Sequence, residues 1–187
     1  YNATPLSPDL TYPGMITESI FDDIDADGDL DLICVGVGMR LTIFENNEGK
    51  FSNVTEKYGL SNTVGWWYSI TAGDVNNDGK NDYIVGNVGE NNKFHPSEEK
   101  PLEIYVKDFD NNGTMDIVLG KYQVGTCLPV RGRQCSSEQM PFILNKFPTY
   151  DEFANADLED IYGQGQLDSA QHYSATEFAS CIILSDG

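Results

Sequence analysis

An acidic segment of nine residues occurs three times in this chain, and it constrains the fold more than any other feature. The first copy, residues 23–31, reads Asp-Ile-Asp-Ala-Asp-Gly-Asp-Leu-Asp, and the others span residues 74–82 and 108–116. Carboxylates this close repel one another, and the repulsion opposes folding unless a cation lies among them. Oxygen ligands at positions one, three and five, followed by a glycine that allows a sharp turn, suit a hard cation of the size of calcium. Three copies with the same spacing argue against chance. We call them, in chain order, the first, second and third acidic loops.

The EF-hand is the first interpretation of such a loop, and the neighbouring residues argue against it. That motif has a bidentate Glu at position twelve and a helix on either side. Position twelve is Cys34, Val85 and Leu119 in the three copies, and each copy instead ends in Asp at position nine. Short apolar runs rich in β-branched residues flank the loops, which predicts a strand before and after each one. Each predicted unit is therefore a hairpin whose turn binds a metal ion.

The predicted ligands are the side chains at positions one, three, five and nine, with the backbone carbonyl of position seven. Lys80 and Thr114 at position seven favour a carbonyl ligand, because neither side chain is suited to calcium. We predict about three calcium ions, one per loop, and interpret them as structural because no catalytic partner is evident beside them. The predicted metal-binding residues are Asp23, Asp25, Asp27, Asp29, Asp31, Asp74, Asn76, Asp78, Lys80, Asp82, Asp108, Asp110, Asn112, Thr114 and Asp116.

Strand, acidic loop and strand together resemble the FG-GAP/VCBS repeat, which is the calcium-loop repeat of integrin-like β-propellers. Residues 65–67, 85–91 and 132–142 also resemble bacterial VCBS-repeat proteins related to cartilage acidic protein. The resemblance covers residues 12–187. It implies propeller blades that are stabilised by calcium.

We expect a mostly β fold, with about three blades or part-blades of a β-propeller over residues 15–187 and a lead-in segment over residues 1–14. The loops begin at Asp23, Asp74 and Asp108, so the repeat steps are 51 and 34 residues. The first step suits a four-stranded blade. The second step is too short, so either that blade is trimmed or residues 88–101 replace its outer strands with a loop. Since closed propellers have about four to eight blades, we expect the chain to be part of a larger propeller.

A short helical insertion is predicted near residues 136–162. Ser136 with Gln139, and Thr149 with Glu152, have the spacing of capping boxes. They predict short helices over residues 140–147 and 153–162, with Gly163 ending the second.

Charge and hydropathy exclude two classes of partner. The formal charge is −19, with 30 acidic residues and only 11 Lys and Arg, so binding to nucleic acid is not expected. No apolar run has membrane-spanning length, so membrane insertion is not expected either. Calcium is abundant outside the cytosol, which favours an extracellular, cell-surface or periplasmic location. Cys127 and Cys135 flank a short loop, and the sequence leaves open whether they form a disulfide.

No catalytic residues are predicted. His95 and His172 have no Ser, Cys or Asp at motif spacing, and the usual nucleophile and phosphate-binding motifs are absent. The aromatic run at residues 66–68 either packs between adjacent blades, which is the favoured interpretation, or contacts a ligand such as a sugar ring. The polar loop after the next strand either contacts a ligand or only turns the chain. The candidate ligand-binding residues are Trp67, Asn87, Glu90 and Asn91.

We therefore expect a non-enzymatic, calcium-binding propeller segment that binds a protein or a glycan. One alternative is a carbohydrate-active enzyme, a polysaccharide lyase or hydrolase, on a calcium-stabilised propeller. The other is a purely structural spacer within a larger surface protein.

Overall fold

Residues 7–185 are described by a computed structural model, and they divide into two units. The first unit comprises residues up to Ser97 together with those from Ala175 onward, and the second comprises Glu98–Ser174. Most of the regular structure in the first unit is β-strand, as the alternating and β-branched sequence patterns predict, whereas the second unit combines four strands with five short helices. Residues 1–6 of the predicted lead-in segment lie outside the described part of the chain.

In the first unit, each acidic loop joins two consecutive antiparallel strands. The unit begins with a 3-10 helix, Pro8–Leu10, which packs beside the fourth strand. Its strands are β1 (Met15–Asp22), β2 (Asp31–Met39), β3 (Thr42–Asn47), β4 (Lys50–Asn53), β5 (Gly65–Gly73), β6 (Asp82–Asn87) and β11 (Cys181–Ile183).

Strands β1 to β4 form an antiparallel meander in which β2 lies between β1 and β3. The near-continuous apolar run of β2 suits this central place, since Ile33, Cys34 and Val35 are all at most 2% exposed. At its far end β2 also pairs with β5, through Val37 with Trp66. The first acidic loop thus connects β1 and β2, the first two strands of this four-stranded meander.

The second acidic loop joins β5 to β6, and the third strand beside them comes from far along the chain. Cys181 of β11 pairs with Val85 of β6, and Ile183 pairs with Tyr83. Residues 88–101 contain no strand. The short repeat step is therefore explained by a loop at residues 88–101, while the outer strand next to β6 is supplied by residues 181–183.

The second unit consists of a four-stranded sheet and a group of short helices. Its strand order is β10-β7-β8-β9, and the third acidic loop joins β7 to β8. The strands are β7 (Leu102–Lys107), β8 (Asp116–Gln123), β9 (Thr126–Pro129) and β10 (Gln171–Ala175). The helices are α1 (Arg133–Gln139), α2 (Phe142–Lys146), α3 (Tyr150–Ala154), α4 (Leu158–Tyr162) and α5 (Gln164–Asp168).

The helical insertion is confirmed in kind but is longer than predicted, since it extends from Arg133 to Asp168. The capping box of Thr149 and Glu152 is present and begins α3. A second box, Asp157 with Asp160, begins α4 and was missed because an Asp occupies the place of the usual Glu. The box predicted at Ser136 is wrong, because Ser136 lies inside α1 and its hydroxyl donates to the carbonyl of Arg131 at 3.3 Å.

Each unit has its own apolar core. Buried side chains of β2, β3, β5 and β6 form the core of the first unit, with Trp67, Leu41 and Val85 among the most buried. In the second unit, β8 packs against the helices through Val118, Ile143 and Ile161. Each core lies beside a hairpin that bears an acidic loop, so the loops extend from strands that packing holds in place.

Candidate metal centres

The three acidic loops have one hydrogen-bond scheme in common. In each, the backbone N–H of position five donates to side-chain oxygens of position one, at 3.0 to 3.1 Å, and of position three, at 2.9 to 3.3 Å. The N–H of position six donates to the other oxygen of position one, and that of position seven donates to position five. These bonds turn the side-chain oxygens of positions one, three and five towards the inside of the loop. The sequence repeat is therefore also a repeat of local geometry.

The backbone of the loops requires left-handed residues at positions four and six. Position six is glycine in each copy, with φ of 97°, 87° and 89° at Gly28, Gly79 and Gly113. Only glycine adopts such angles without a steric cost. Position four has φ near 60° in all three loops, where Asn is better tolerated than Ala. The residue types at positions four and six therefore follow from the turn, independently of any ion.

Asp at position nine is the buried anchor of each loop. Asp31, Asp82 and Asp116 are at most 2% exposed. One carboxylate oxygen of each accepts the backbone N–H of position two, at 2.9 to 3.0 Å. This bond closes the loop between its second and last residues, and it explains why position nine is Asp in every copy.

The other oxygen of position nine accepts a bond from outside the loop, and its partner differs from copy to copy. The donors are the N–H of Asn46 to Asp31 at 2.7 Å, the N–H of Ser185 to Asp82 at 3.0 Å, and the amide of Gln139 to Asp116 at 3.2 Å. Sequence reasoning missed these donors, because they lie 15, 103 and 23 residues from their acceptors. No motif signals them.

Carboxylate oxygens converge in the first and third loops. Those of Asp23, Asp25 and Asp27 lie within 4.8 Å of one another, as do those of Asp108, Asp110 and Asp116. In the second loop, Asn76 replaces one carboxylate and its amide donates to Asp78 at 2.9 Å.

The electrostatics of the first two loops differ accordingly. Partial desolvation by the loop raises the pKa of Asp25, and the carboxylates of Asp27 and Asp31 raise it further. In the second loop, the N–H of Lys80 and the amide of Asn76 lower the pKa of Asp78. The first loop therefore has the larger excess of negative charge, and binding of a divalent cation would relieve more repulsion there.

The residues present fit calcium. Each loop offers three or more carboxylates and further oxygen ligands, and offers no thiolate or imidazole, which is the ligand chemistry of a hard cation. In the first loop, Oδ1 of Asp29 is buried and accepts no hydrogen bond from the described residues, while its Oδ2 accepts the N–H of Glu48 at 3.2 Å. A buried carboxylate oxygen without a partner is uncommon and fits a nearby cation.

The prediction that Trp67 contacts a ligand is wrong. Its side chain is 1% exposed, and its indole N–H donates to the carbonyl of Thr63 at 2.9 Å. Strict alternation along β5 predicts Trp67 and Ile70 on opposite faces, yet both lie in the same core. The pairing of β5 with β6 shifts between Trp67 and Ser69, and this bulge places the two apolar side chains on one side.

The other three candidate ligand residues differ from one another. The amide of Asn87 donates to the carbonyls of Glu177 at 2.8 Å and Ala179 at 3.3 Å, so Asn87 connects β6 to the segment before β11. Glu90 and Asn91 are exposed in the loop at residues 88–101, and their contact with a ligand stays a prediction.

The thiols and the two histidines are placed as follows. Cys127 and Cys135 are free, so the disulfide that the sequence left open is not formed. His95 is exposed in the loop at residues 88–101. His172 lies in β10 and contacts the buried Glu103, a partner that no sequence motif indicated.

Among the described residues, no helix is both long enough and apolar enough to cross a membrane.

A family model described as an FG-GAP-like repeat matches residues 23–85. The match includes the first and second acidic loops and the strands between them. No curated protein and no solved structure matches the chain.

Proposed function

We propose that this chain, which contains an FG-GAP-like repeat at residues 23–85, is a calcium-stabilised, non-enzymatic binding module of an exported or surface-exposed protein. In this proposal the two sheets are parts of β-propeller blades. The observation that supports it is the common hydrogen-bond scheme of the three loops, which brings acidic oxygens together without a compensating cation from the protein. Lys80 is the only basic residue in the loops. It stands at position seven, where the predicted ligand is the backbone carbonyl and not the side chain.

Calcium would act in folding rather than in catalysis. Each loop connects two core strands, and an ion bound by residues at both ends of a loop holds those strands together. Because the unfolded chain does not preform such a site, binding to the folded state adds to the free energy of unfolding. An extracellular or periplasmic location fits this role, since sites in extracellular modules bind calcium with Kd of about 10⁻⁴ to 10⁻³ M.

The test is calorimetric titration of the chelator-treated protein with calcium, with thermal melting followed at each calcium level. We expect three sites and a clear rise in Tm. Single variants Asp23→Ala, Asp74→Ala and Asp108→Ala should each remove one site. Glu56→Gln, an exposed carboxylate outside the loops, is the matched control and should leave the stoichiometry at three. One site or none in the unmodified protein would contradict the proposal.

The partner is proposed to be a protein or a glycan that contacts exposed loops. The loop at residues 88–101 is the first candidate surface, because Glu90 and Asn91 are exposed there and neither lies in an apolar core. Screening the calcium-loaded chain on protein and glycan arrays tests this. Loss of a detected partner in the double variant Glu90→Ala, Asn91→Ala would support it, and unchanged binding would move the surface elsewhere on the molecule.

A further inference from the structure

The second unit contains a cavity of about 590 Å³ that is separate from the third acidic loop. It is lined by residues of all four strands β7 to β10 on one side and of α4 and α5 on the other. This volume lies within the range of about 300 to 1,000 Å³ that is usual for small-molecule sites. The cavity thus has the size and position of a binding site between a sheet face and a helical layer.

A buried carboxylate outside the cavity lining, Glu103, contacts His172, which lines the cavity. Glu103 of β7 is 5% exposed, and its Oε2 lies 2.7 Å from Nε2 of His172 and accepts the hydroxyl of Ser174 at 3.0 Å. The sheet face beside the helices would be expected to be apolar, since burying an ionised group is costly unless it has partners. Glu103 has such partners, His172 and Ser174 on the adjacent strand β10 and the hydroxyl of Tyr122 on β8.

The contact with Glu103 sets the tautomer of His172. A carboxylate only accepts hydrogen bonds, so Nε2 of His172 carries a hydrogen, and in the neutral imidazole Nδ1 is the acceptor. The imidazole also stacks on Tyr105, with ring centroids 4.5 Å apart and planes within 8°. His172 lines the cavity and is therefore held in one orientation from two sides.

Gly120 allows the strands to come together beneath the cavity. A methyl group at this residue would lie 2.7 Å from Sγ of Cys127 and 3.4 Å from Cβ of Glu103. Glycine is thus required for Glu103 and Cys127 to lie on the same face as they do. Burial, followed by the charges of Glu103 and Asp157, raises the pKa of Cys127 to about 11, so the thiol stays protonated at neutral pH and is not activated as a nucleophile.

The cavity wall combines hydrogen-bond donors with acceptors and contains no Lys or Arg. The donors include the hydroxyl of Thr126, and the acceptors include the carboxylates of Glu159 and Asp168, while the hydroxyl of Tyr122 is hydrogen-bonded to Glu103. An ammonium ligand would satisfy only the acceptors. An anion would satisfy only the donors, and the carboxylates would repel it. A polyhydroxylated neutral ligand satisfies both kinds of group, because each hydroxyl both donates and accepts.

We propose that this cavity binds a neutral sugar residue, with Tyr122 contacting the apolar face of the ring and with His172 and the acidic wall binding its hydroxyls. Glu103 is a positioning residue that orients His172. This proposal rests on the proposed function, a module that binds a protein or a glycan. It narrows the partner to a neutral glycan and excludes a uronic acid polymer. It also moves the aromatic contact from the buried Trp67 to Tyr122.

The test uses the calcium-loaded full chain on an array of neutral glycans, followed by calorimetric titration with those that bind. Digalacturonate and putrescine serve as the anionic and cationic probes. We expect a neutral sugar to bind with a Kd of about 1 mM or tighter, and neither charged probe to bind. Tyr122→Ala and His172→Ala should each weaken binding at least about tenfold, which is about 1.4 kcal/mol. Tyr122→Phe should retain most of the affinity.

Glu103→Gln separates positioning from general stability. It should weaken sugar binding and alter the NMR signals of the His172 ring in the folded protein, effects that loss of stability alone would not produce. Tyr12→Ala, at a residue that is 93% exposed, is the matched control and should leave binding unchanged.

Several outcomes would overturn the proposal: no neutral glycan binds, putrescine or digalacturonate binds instead, or binding is insensitive to Tyr122→Ala and His172→Ala. Calcium titration of the same variants separates this result from the proposed calcium role, because none of these residues lies in an acidic loop. Release of reducing ends that depends on His172 would support the cavity as the sugar site while contradicting the non-enzymatic function.

Discussion

At the scale of single residues, the acidic loops contain two kinds of Asp that the sequence alone does not distinguish. Those at positions one, three and five are partly or fully exposed and, within the described part of the chain, accept hydrogen bonds only from N–H groups of their own loop or from a side chain within it. Those at position nine are buried and accept hydrogen bonds from two separate segments. Removing a charge at these two kinds of position should therefore have different consequences.

Asp31→Asn should destabilise the chain even without calcium. The substitution places an NH₂ group where an oxygen now accepts a backbone N–H, so one bond from Ile24 or Asn46 is lost. We expect the free energy of unfolding to fall by about 1–3 kcal/mol in chelator, measured by urea denaturation. Asp27→Asn, at position five of the same loop, should weaken calcium binding but leave the stability in chelator nearly unchanged. Equal losses from both variants would contradict the distinction.

Gly79→Ala tests the backbone requirement of the turn by itself. A methyl group at Gly79 meets no atom within 4 Å, so its cost comes only from φ of 87°. We expect a loss of about 1–2 kcal/mol in thermal or urea denaturation. Gly73→Ala, at the end of β5, also meets no atom within 4 Å and has an ordinary φ, so it should be nearly neutral. A neutral Gly79→Ala would show that the loop relaxes into another turn.

At the scale of elements, strands near the loops were predictable and long-range partners were not. The strands predicted directly before the three acidic loops correspond to β1, β5 and β7. Their β-branched composition and the adjacent turns are local signals. The placement of β11 beside β6 was not predictable, because pairing of strands almost 100 residues apart depends on the packed core and not on local pattern.

Asn87→Ala tests the connection between β6 and the segment that leads into β11. The side chain of Asn87 bonds to the carbonyls of Glu177 and Ala179, and its backbone N–H donates to Ser180 at 3.0 Å. We expect a loss of about 1–3 kcal/mol, since two carbonyls lose a donor. Hydrogen exchange should show faster opening of β11. Asn91→Ala, at an exposed Asn in the following loop, should change neither the free energy of unfolding nor the hydrogen exchange of β11. Equal effects of Asn87→Ala and Asn91→Ala would contradict the structural role of Asn87.

At the scale of the whole molecule, the formal charge of −19 is the dominant property. Eleven of the 30 acidic residues lie in the three loops, and three divalent ions would reduce the charge to −13. Self-repulsion of a highly charged chain opposes the folded state. Calcium would thus act both locally, within each loop, and globally, on the net charge.

The melting temperature should therefore depend on salt more strongly without calcium than with it. In chelator, NaCl screens the repulsion between carboxylates, with a Debye length of about 10 Å at 0.1 M and about 3 Å at 1 M. We expect Tm to rise over this range. With saturating calcium the rise should be smaller, because the closest carboxylates are already neutralised. Differential scanning calorimetry measures both series, and equal salt dependence would show that the loops do not bind the ion.

The hairpins, the turn glycines and the three acidic loops follow from the sequence alone, because each depends on residues within one nine-residue segment and its adjoining strands. The tertiary structure decided which residues close the loops, through Asn46, Ser185 and Gln139, and it showed that a bulge buries Trp67. It also placed His172 beside Glu103, 69 residues away. Local pattern encodes dihedral preference and burial periodicity. Contacts between distant segments depend on how the cores pack, which no short window of sequence contains.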